Sequence, residues 1–135
     1  AMQAALDPAL ARQTLALSLG NALPAAERNR NVRRVAVNGE HAALAWEFAR
    51  ANFDVLLAGL TAFERYDYVP GIMNAFNDDA RADELEAFMQ ENFPAEAAVN
   101  GARVAEAIRD RASFRVRELV VLDAWIKTQA PVPER

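Results

Sequence analysis

An all-α fold is predicted by three features of the chain. Apolar residues recur at three- and four-residue spacing and nowhere in period-two alternation, β-branched residues are few, and the Pro and Gly positions fall where helices start and stop. The expected architecture is about seven helices in antiparallel pairs, a HEAT-like α-solenoid or α-α superhelix, as one helical domain over residues 1–135.

Each element has its own signals. Asp7 followed by Pro8 reads as N-cap and first helical position, because proline's missing N–H is an orphan there anyway, and Gly20 closes helix one, 8–19, at the C′ site. Leu10, Leu15, Leu17 and Leu19 cover a broad face of it. Pro24 opens a more polar helix two, 25–37, buried through Val32, Val35 and Ala36 and broken by Asn38-Gly39. Helix three, 40–58, carries Leu44, Phe48, Ala51 and Val55 inward and ends at Gly59. Pro70 opens a short helix four with Ile72, Met73 and Phe76 facing the core.

"NDDARADELEAFMQENF" is helix five, buried through Leu85, Phe88 and Met89 and stopped ahead of Pro94 by the bias proline imposes on its predecessor. Helix six runs 95–111 and helix seven 113–129, ending before "PVP". Helix seven is apolar nearly all round, through Val116, Leu119, Val120, Val121, Leu122, Trp125 and Ile126. A helix of that kind requires cover on every side. Helices three, five and six, or self-association, are expected to supply it, with Trp125 in the core.

Composition narrows the function classes. At 53% hydrophobic and 25% charged the chain is globular, and its 135 residues suffice for one core without disulfides or a structural metal. Zero cysteine removes thiolate chemistry and suits a reducing compartment, so a cytoplasmic location is expected. No apolar run approaches a membrane span, and "AMQAALDPAL" lacks the basic start and apolar stretch of a signal peptide. A net charge of −4 is the wrong sign for a general nucleic-acid binder, so neither nucleic acid nor membrane is an expected partner. Ala1 ahead of Met2 reads as a vector residue, and the chain as an excised piece of a longer protein.

The candidate chemistry is sparse. His41 beside Glu40 lacks the second histidine one turn away that a helical zinc site needs, and a surface position in a first turn is expected. The acidic run Asn77, Asp78, Asp79, Asp83, Glu84 and Glu86 fails the EF-hand pattern, with Arg81 at the third position and Glu84 at the sixth, and reads as carboxylates at the positive end of a helix dipole. Arg103, Arg109, Arg111, Arg115 and Arg117 interleave with Glu106, Asp110 and Glu118 as a solvated or inter-helix ion-pair face. Arg28, Arg30, Arg33 and Arg34 are less balanced; a solvated face is the expectation here too, with bidentate binding of a carboxylate or phosphate as the lesser alternative. Ser18 and Ser113, inside or at the start of helices, sit in no nucleophile elbow, and no phosphate-binding glycine loop occurs. No catalytic or metal-binding residue is assigned, and no binding residue is named.

Read in order, "DPALARQTLALSLGNALP", "AWEFARANFDVLLAGLTAFERYDYVPGIMNAF", "ARADELEAFMQENFP" and "VAEAIRDRASFRVRELVVLDAWIKTQ" resemble the end of the M1 zinc aminopeptidases, of the puromycin-sensitive and aminopeptidase N type in bacteria. The resemblance covers about residues 7–129. It rests on Ala45, Trp46, Phe48, Asn52, Phe53 and Leu56 in one helix, and on Phe63, Tyr68, Val69, Pro70 and Gly71 after it. Glu86, Phe88, Ala105, Ala107, Ile108, Leu122, Trp125 and Ile126 carry it in the closing helices.

The resemblance implies a part of a larger metalloprotease, a hydrolase removing N-terminal amino acids from peptides. Its zinc, its H-E-x-x-H and its G-A-M-E-N loop belong to a catalytic domain of the same polypeptide, and neither motif occurs here. What it implies for this chain is the last portion of a bowl of HEAT-like helices that encloses peptide substrates, with no cofactor of its own. The different class of reading is a free-standing HEAT-like module that binds a protein or peptide.

Overall fold

The computed structural model describes residue 4 and residues 6–129. Ala1, Met2 and the "PVP" stretch lie outside the described residues. Those described form seven α-helices and one 3-10 turn, with no strand among them.

Helix α1, Pro8–Ala16, starts as the sequence dictates: the Asp7 carboxylate accepts from the N–H of Ala9 at 2.7 Å and of Leu10 at 3.1 Å. It tightens into the 3-10 turn Leu17–Leu19, and only Ala11, Thr14, Leu15 and Ser18 are buried. Leu10, Leu17 and Leu19 stand exposed, so the face is narrower than expected. Gly20 ends the segment in extended conformation at φ −80°, and no left-handed cap forms.

Helix α2, Ala25–Asn38, buries Val32, Val35 and Ala36 as expected, together with Asn31. Asn31 Nδ2 donates to the Thr14 carbonyl at 2.7 Å and to Ser18 Oγ at 2.8 Å, which ties α2 to the end of α1. The turn after α2 places its left-handed residue at Glu40, φ 59°, rather than at Gly39.

The expected helix three is two helices, α3, Ala42–Ala51, and α4, Phe53–Leu57. Asn52 divides them. Its side-chain amide donates to the Phe48 carbonyl at 2.9 Å, while its own carbonyl accepts from Leu56 N–H at 3.0 Å. The division also changes the buried face: Ala45, Trp46, Ala49 and Leu56 are inside, whereas Ala51 and Val55 are exposed. Gly59 turns the chain at φ 80°, where a side chain would be strained.

Helix α5, Ala62–Met73, does not open at Pro70. It opens at Thr61, where a capping box forms: Glu64 N–H donates to Thr61 Oγ1 at 3.3 Å and Thr61 N–H donates to Glu64 Oε2 at 2.9 Å. Pro70 lies inside the helix, within the buried run Tyr68, Val69, Pro70, Gly71, Ile72 and Met73. Phe76 beyond its end is also buried.

Helix α6, Asp79–Asn92, is capped by Asp78, whose carboxylate accepts from Arg81 N–H at 3.0 Å, and it buries Ala82, Leu85 and Met89. Helices six and seven are one element. Helix α7, Ala95–Thr128, has 34 residues, roughly 50 Å at about 1.5 Å per residue. Nothing at Ala112 or Ser113 forbids helix, so the break expected there does not occur.

The core lies where α2, α3 and α5 meet the hairpin of α6 with the first half of α7. All buried residues of α7 fall in that first half: Ala97, Gly101, Ala105 and Ile108. A row of edge-to-face rings, Trp46 to Phe88 to Phe53 to Phe93 to Tyr66 with centroids 5.2 to 6.1 Å apart, joins α3, α4, α5 and α6.

The second half of α7 leaves the body. Helices α3, α5 and α6 do not wrap it, and Phe114, Val116, Leu119, Val120, Val121, Leu122, Trp125 and Ile126 are each about half or more exposed. The expectation that Trp125 belongs to the core is corrected: it is 58% exposed. Apolarity all round requires cover, but a sequence does not say that the cover lies within the same chain.

Candidate functional site

A half-open cleft of about 210 Å³ runs between α2 and α5. Its walls are Ala26, Asn29, Arg30 and Arg33 on α2, and Leu60, Glu64, Asp67 and Tyr68 on or just before α5. Helical spacing brings Asn29 and Arg33 onto one face, i and i+4, while Asp67 and Tyr68 are neighbours in the opposite wall.

The charges there are unequally committed. Arg30 pairs with Glu27. Glu64 is held by Thr61 in the capping box, whose hydrogen bonds keep its carboxyl below the usual range. Arg33 lies along α5 where Gly71 has no side chain: a Cβ there would come within 3.1 Å of Arg33 Nη1. Its contact with Asp67 is long, 3.4 Å, between half-exposed partners, and such a pair contributes little.

Two wall residues keep polar atoms without a hydrogen-bond partner. Asn29 Nδ2 donates to the carbonyls of Ala25 at 3.0 Å and Leu56 at 3.1 Å, which sets the amide's orientation and leaves buried Oδ1 unpaired. The Tyr68 hydroxyl is also unpaired, on a residue only 6% exposed. Burial pushes its pKa up, so it remains a phenol able to donate.

Of the residues singled out in the sequence, Arg30 and Arg33 enter this cleft, and Arg34 lies outside it with Arg30, Arg33, Val37 and Asn38 on a shallower surface. Asn29 was not singled out, and Tyr68 was named only among the residues that carry the resemblance, with no site role. An asparagine inside a helix was the available signal, since that residue disfavours helix unless its side chain has backbone partners.

His41 is the residue before α3, partly buried. The acidic run divides: Asp78 caps α6, and Glu84 accepts from Trp46 Nε1 at 2.9 Å, Arg50 at 2.9 Å and Arg81 at 2.6 Å. Arg109 bridges from α7 to Asp83 at 2.6 Å and Glu86 at 2.7 Å on α6, and these acceptors push its pKa up. Arg111 donates to the carbonyls of Asn74 at 2.8 Å and Phe76 at 3.1 Å, closing the end of α5. The second arginine group is therefore partly an inter-helix tie. Among the described residues no group of three or more His, Cys, Asp or Glu is placed to hold a metal ion, and no helix is long and apolar enough to cross a membrane.

The residues that carry the aminopeptidase resemblance are mostly packing residues. Trp46, Leu56, Tyr68, Val69, Pro70, Gly71, Ala105 and Ile108 are buried, and Phe48, Phe53 and Phe88 pack against them. Leu122, Trp125 and Ile126 stand on the exposed half of α7. No family model, curated protein or solved structure matches the chain.

Proposed function

We propose that this chain is the C-terminal, non-catalytic part of an M1-type zinc aminopeptidase, helping to enclose peptides whose N-terminal residues the zinc-bearing domain removes. The observation that carries the reading is the ordered series of segments from Asp7 to Gln129, most of whose resembling residues are buried in the core or pack against it. An enclosure needs a rigid wall, and interlocked aromatic rings such as Trp46, Phe88 and Phe53 provide one. The partners in this reading are the catalytic domain and the enclosed peptide, in the cytoplasm. The chain itself has no cofactor.

The gene tests it directly. An in-frame H-E-x-x-H upstream of Asp7 is the expected result, and a natural start codon at Met2 overturns the proposal. The chain alone is expected to release no amino acid from aminoacyl-nitroanilides and to take up no stoichiometric zinc, since one histidine leaves no site with three ligands and an activatable water. One-to-one zinc by mass spectrometry with zinc-dependent turnover is the opposite result.

A second reading, a free-standing HEAT-like interaction module, draws on the exposed apolar half of α7, since large bare apolar surfaces mark interaction sites. A start codon at Met2 together with capture of an added partner peptide on that half supports it.

A further inference from the structure

We propose that the α2–α5 cleft is a binding site for a small zwitterion, an α-amino acid or short peptide, held by Arg33 and the Tyr68 hydroxyl at its carboxylate and by Asn29 Oδ1 and Asp67 at its ammonium group. This rests on no larger peptidase, because every group named lies among the described residues.

Subtraction identifies the ligand's chemistry. Arg30 and Glu27 occupy each other, and Glu64 is committed to Thr61. What remains in the walls is one cation, one anion, one acceptor and one donor: Arg33 and Asp67, joined to each other only at 3.4 Å and with Asp67 accepting from Asn100 Nδ2 only at 3.5 Å, and the unpaired Asn29 Oδ1 and Tyr68 hydroxyl. The complement is a molecule with one anionic acceptor and one cationic donor. A bare carboxylate or phosphate leaves Asp67 facing like charge and Asn29 Oδ1 without a donor, and a bare amine leaves Arg33 and Tyr68 unmatched.

The weak links are where a ligand has to insert. The Arg33 to Asp67 contact is long and half exposed, so replacing it costs little. Buried polar atoms without partners are costly, so a ligand that pairs Asn29 Oδ1 and Tyr68 gains what the empty wall forfeits. Both atoms are covered from solvent, so contact with a ligand requires displacement of the side chains around them. The volume, about 210 Å³, suits one residue or two and no more.

The test is a titration of the isotope-labelled chain followed by NMR, with L-alanine, N-acetyl-L-alanine, L-alanine methyl ester and dialanine as probes. Saturating shifts confined to α2 and α5 are expected for a zwitterion, with both single-charge derivatives weaker by about tenfold or more. Tighter binding of alanine than of dialanine assigns the site to free amino acids, and the reverse assigns it to peptides. Arg33→Gln and Tyr68→Phe, which keep size and helix, are each expected to weaken binding by about tenfold. No saturable shift at millimolar probe overturns the proposal. So does equal response to all four probes, or unchanged binding by either variant when its circular dichroism and melting show it folded.

Discussion

Gly101 of α7 sits against Met89 of α6 so closely that a Cβ there would come within 2.7 Å of Met89 Cγ and 3.1 Å of Met89 Cβ. The missing side chain lets the hairpin close. In Gly101→Ala two effects oppose: helix propensity gains about 0.5–1 kcal/mol, and forced overlap costs about 1–3 kcal/mol. The Met89 Cβ is fixed to its backbone, so the overlap wins. Urea unfolding is expected to show a net loss of about 1–2 kcal/mol, and a gain in stability would place the two helices further apart.

Trp46 and Trp125 make a matched pair of tests. Trp46 is fully buried, packs edge-to-face on Phe88 and donates to Glu84. Trp46→Ala is expected to cost about 3–5 kcal/mol. Trp125, on the projecting half of α7, is expected to change the stability of the dilute chain by less than about 0.5 kcal/mol when replaced by alanine. Equal losses in chemical unfolding would show that the projecting half is covered after all.

Glu84 links stability to pH. Burial acts to raise its pKa, but hydrogen bonds from Trp46 and Arg81, with the charges of Arg81 and Arg50, outweigh it and leave the pKa below the ordinary 4.5. A lowered folded value stabilises the protein above the ordinary pKa, and that contribution disappears as pH falls through the folded value. Glu84→Gln cannot titrate. At neutral pH it is expected to be less stable than the unmodified chain by about 1–2 kcal/mol, with a gap that narrows from pH 4.5 downward in melts run across the acid range. A gap constant to the lowest pH would remove the carboxylate from the account.

Glu40 holds a backbone conformation that glycine adopts freely, φ 59° on a residue with a side chain. Left-handed backbone costs roughly 1–2 kcal/mol for such a residue, and glycine's extra freedom in the unfolded chain returns part of that. Glu40→Gly is expected to raise stability by about 0.5–1 kcal/mol in thermal unfolding. A lower midpoint would mean that the Glu40 side chain does more than occupy the turn.

The sequence by itself determined the helical class and most helix starts, because caps are local chemistry. Asp7 before Pro8, and the stop ahead of Pro94, each act through atoms a few residues away. Thr61 to Glu64 was equally legible as a capping box, and Pro70 misled because proline marks a helix start only where no stronger start precedes it. Asn52 and Ala112 were not legible. An asparagine divides a helix only when packing favours its side-chain bond to Phe48, and nothing in the local sequence at Ala112 or Ser113 stops α7, which runs on without interruption. Tertiary structure decided which face is buried where the sequence offered two, as at Val55 and Leu56, both apolar, of which only Leu56 is fully buried. It alone assembled the cleft as well: Asn29 and Tyr68 are 39 residues apart in the sequence, and they line one cleft from opposite walls because α2 packs on α5. The exposed half of α7 marks the limit of both, because hydrophobicity specifies that a surface is to be covered and leaves the covering element unspecified.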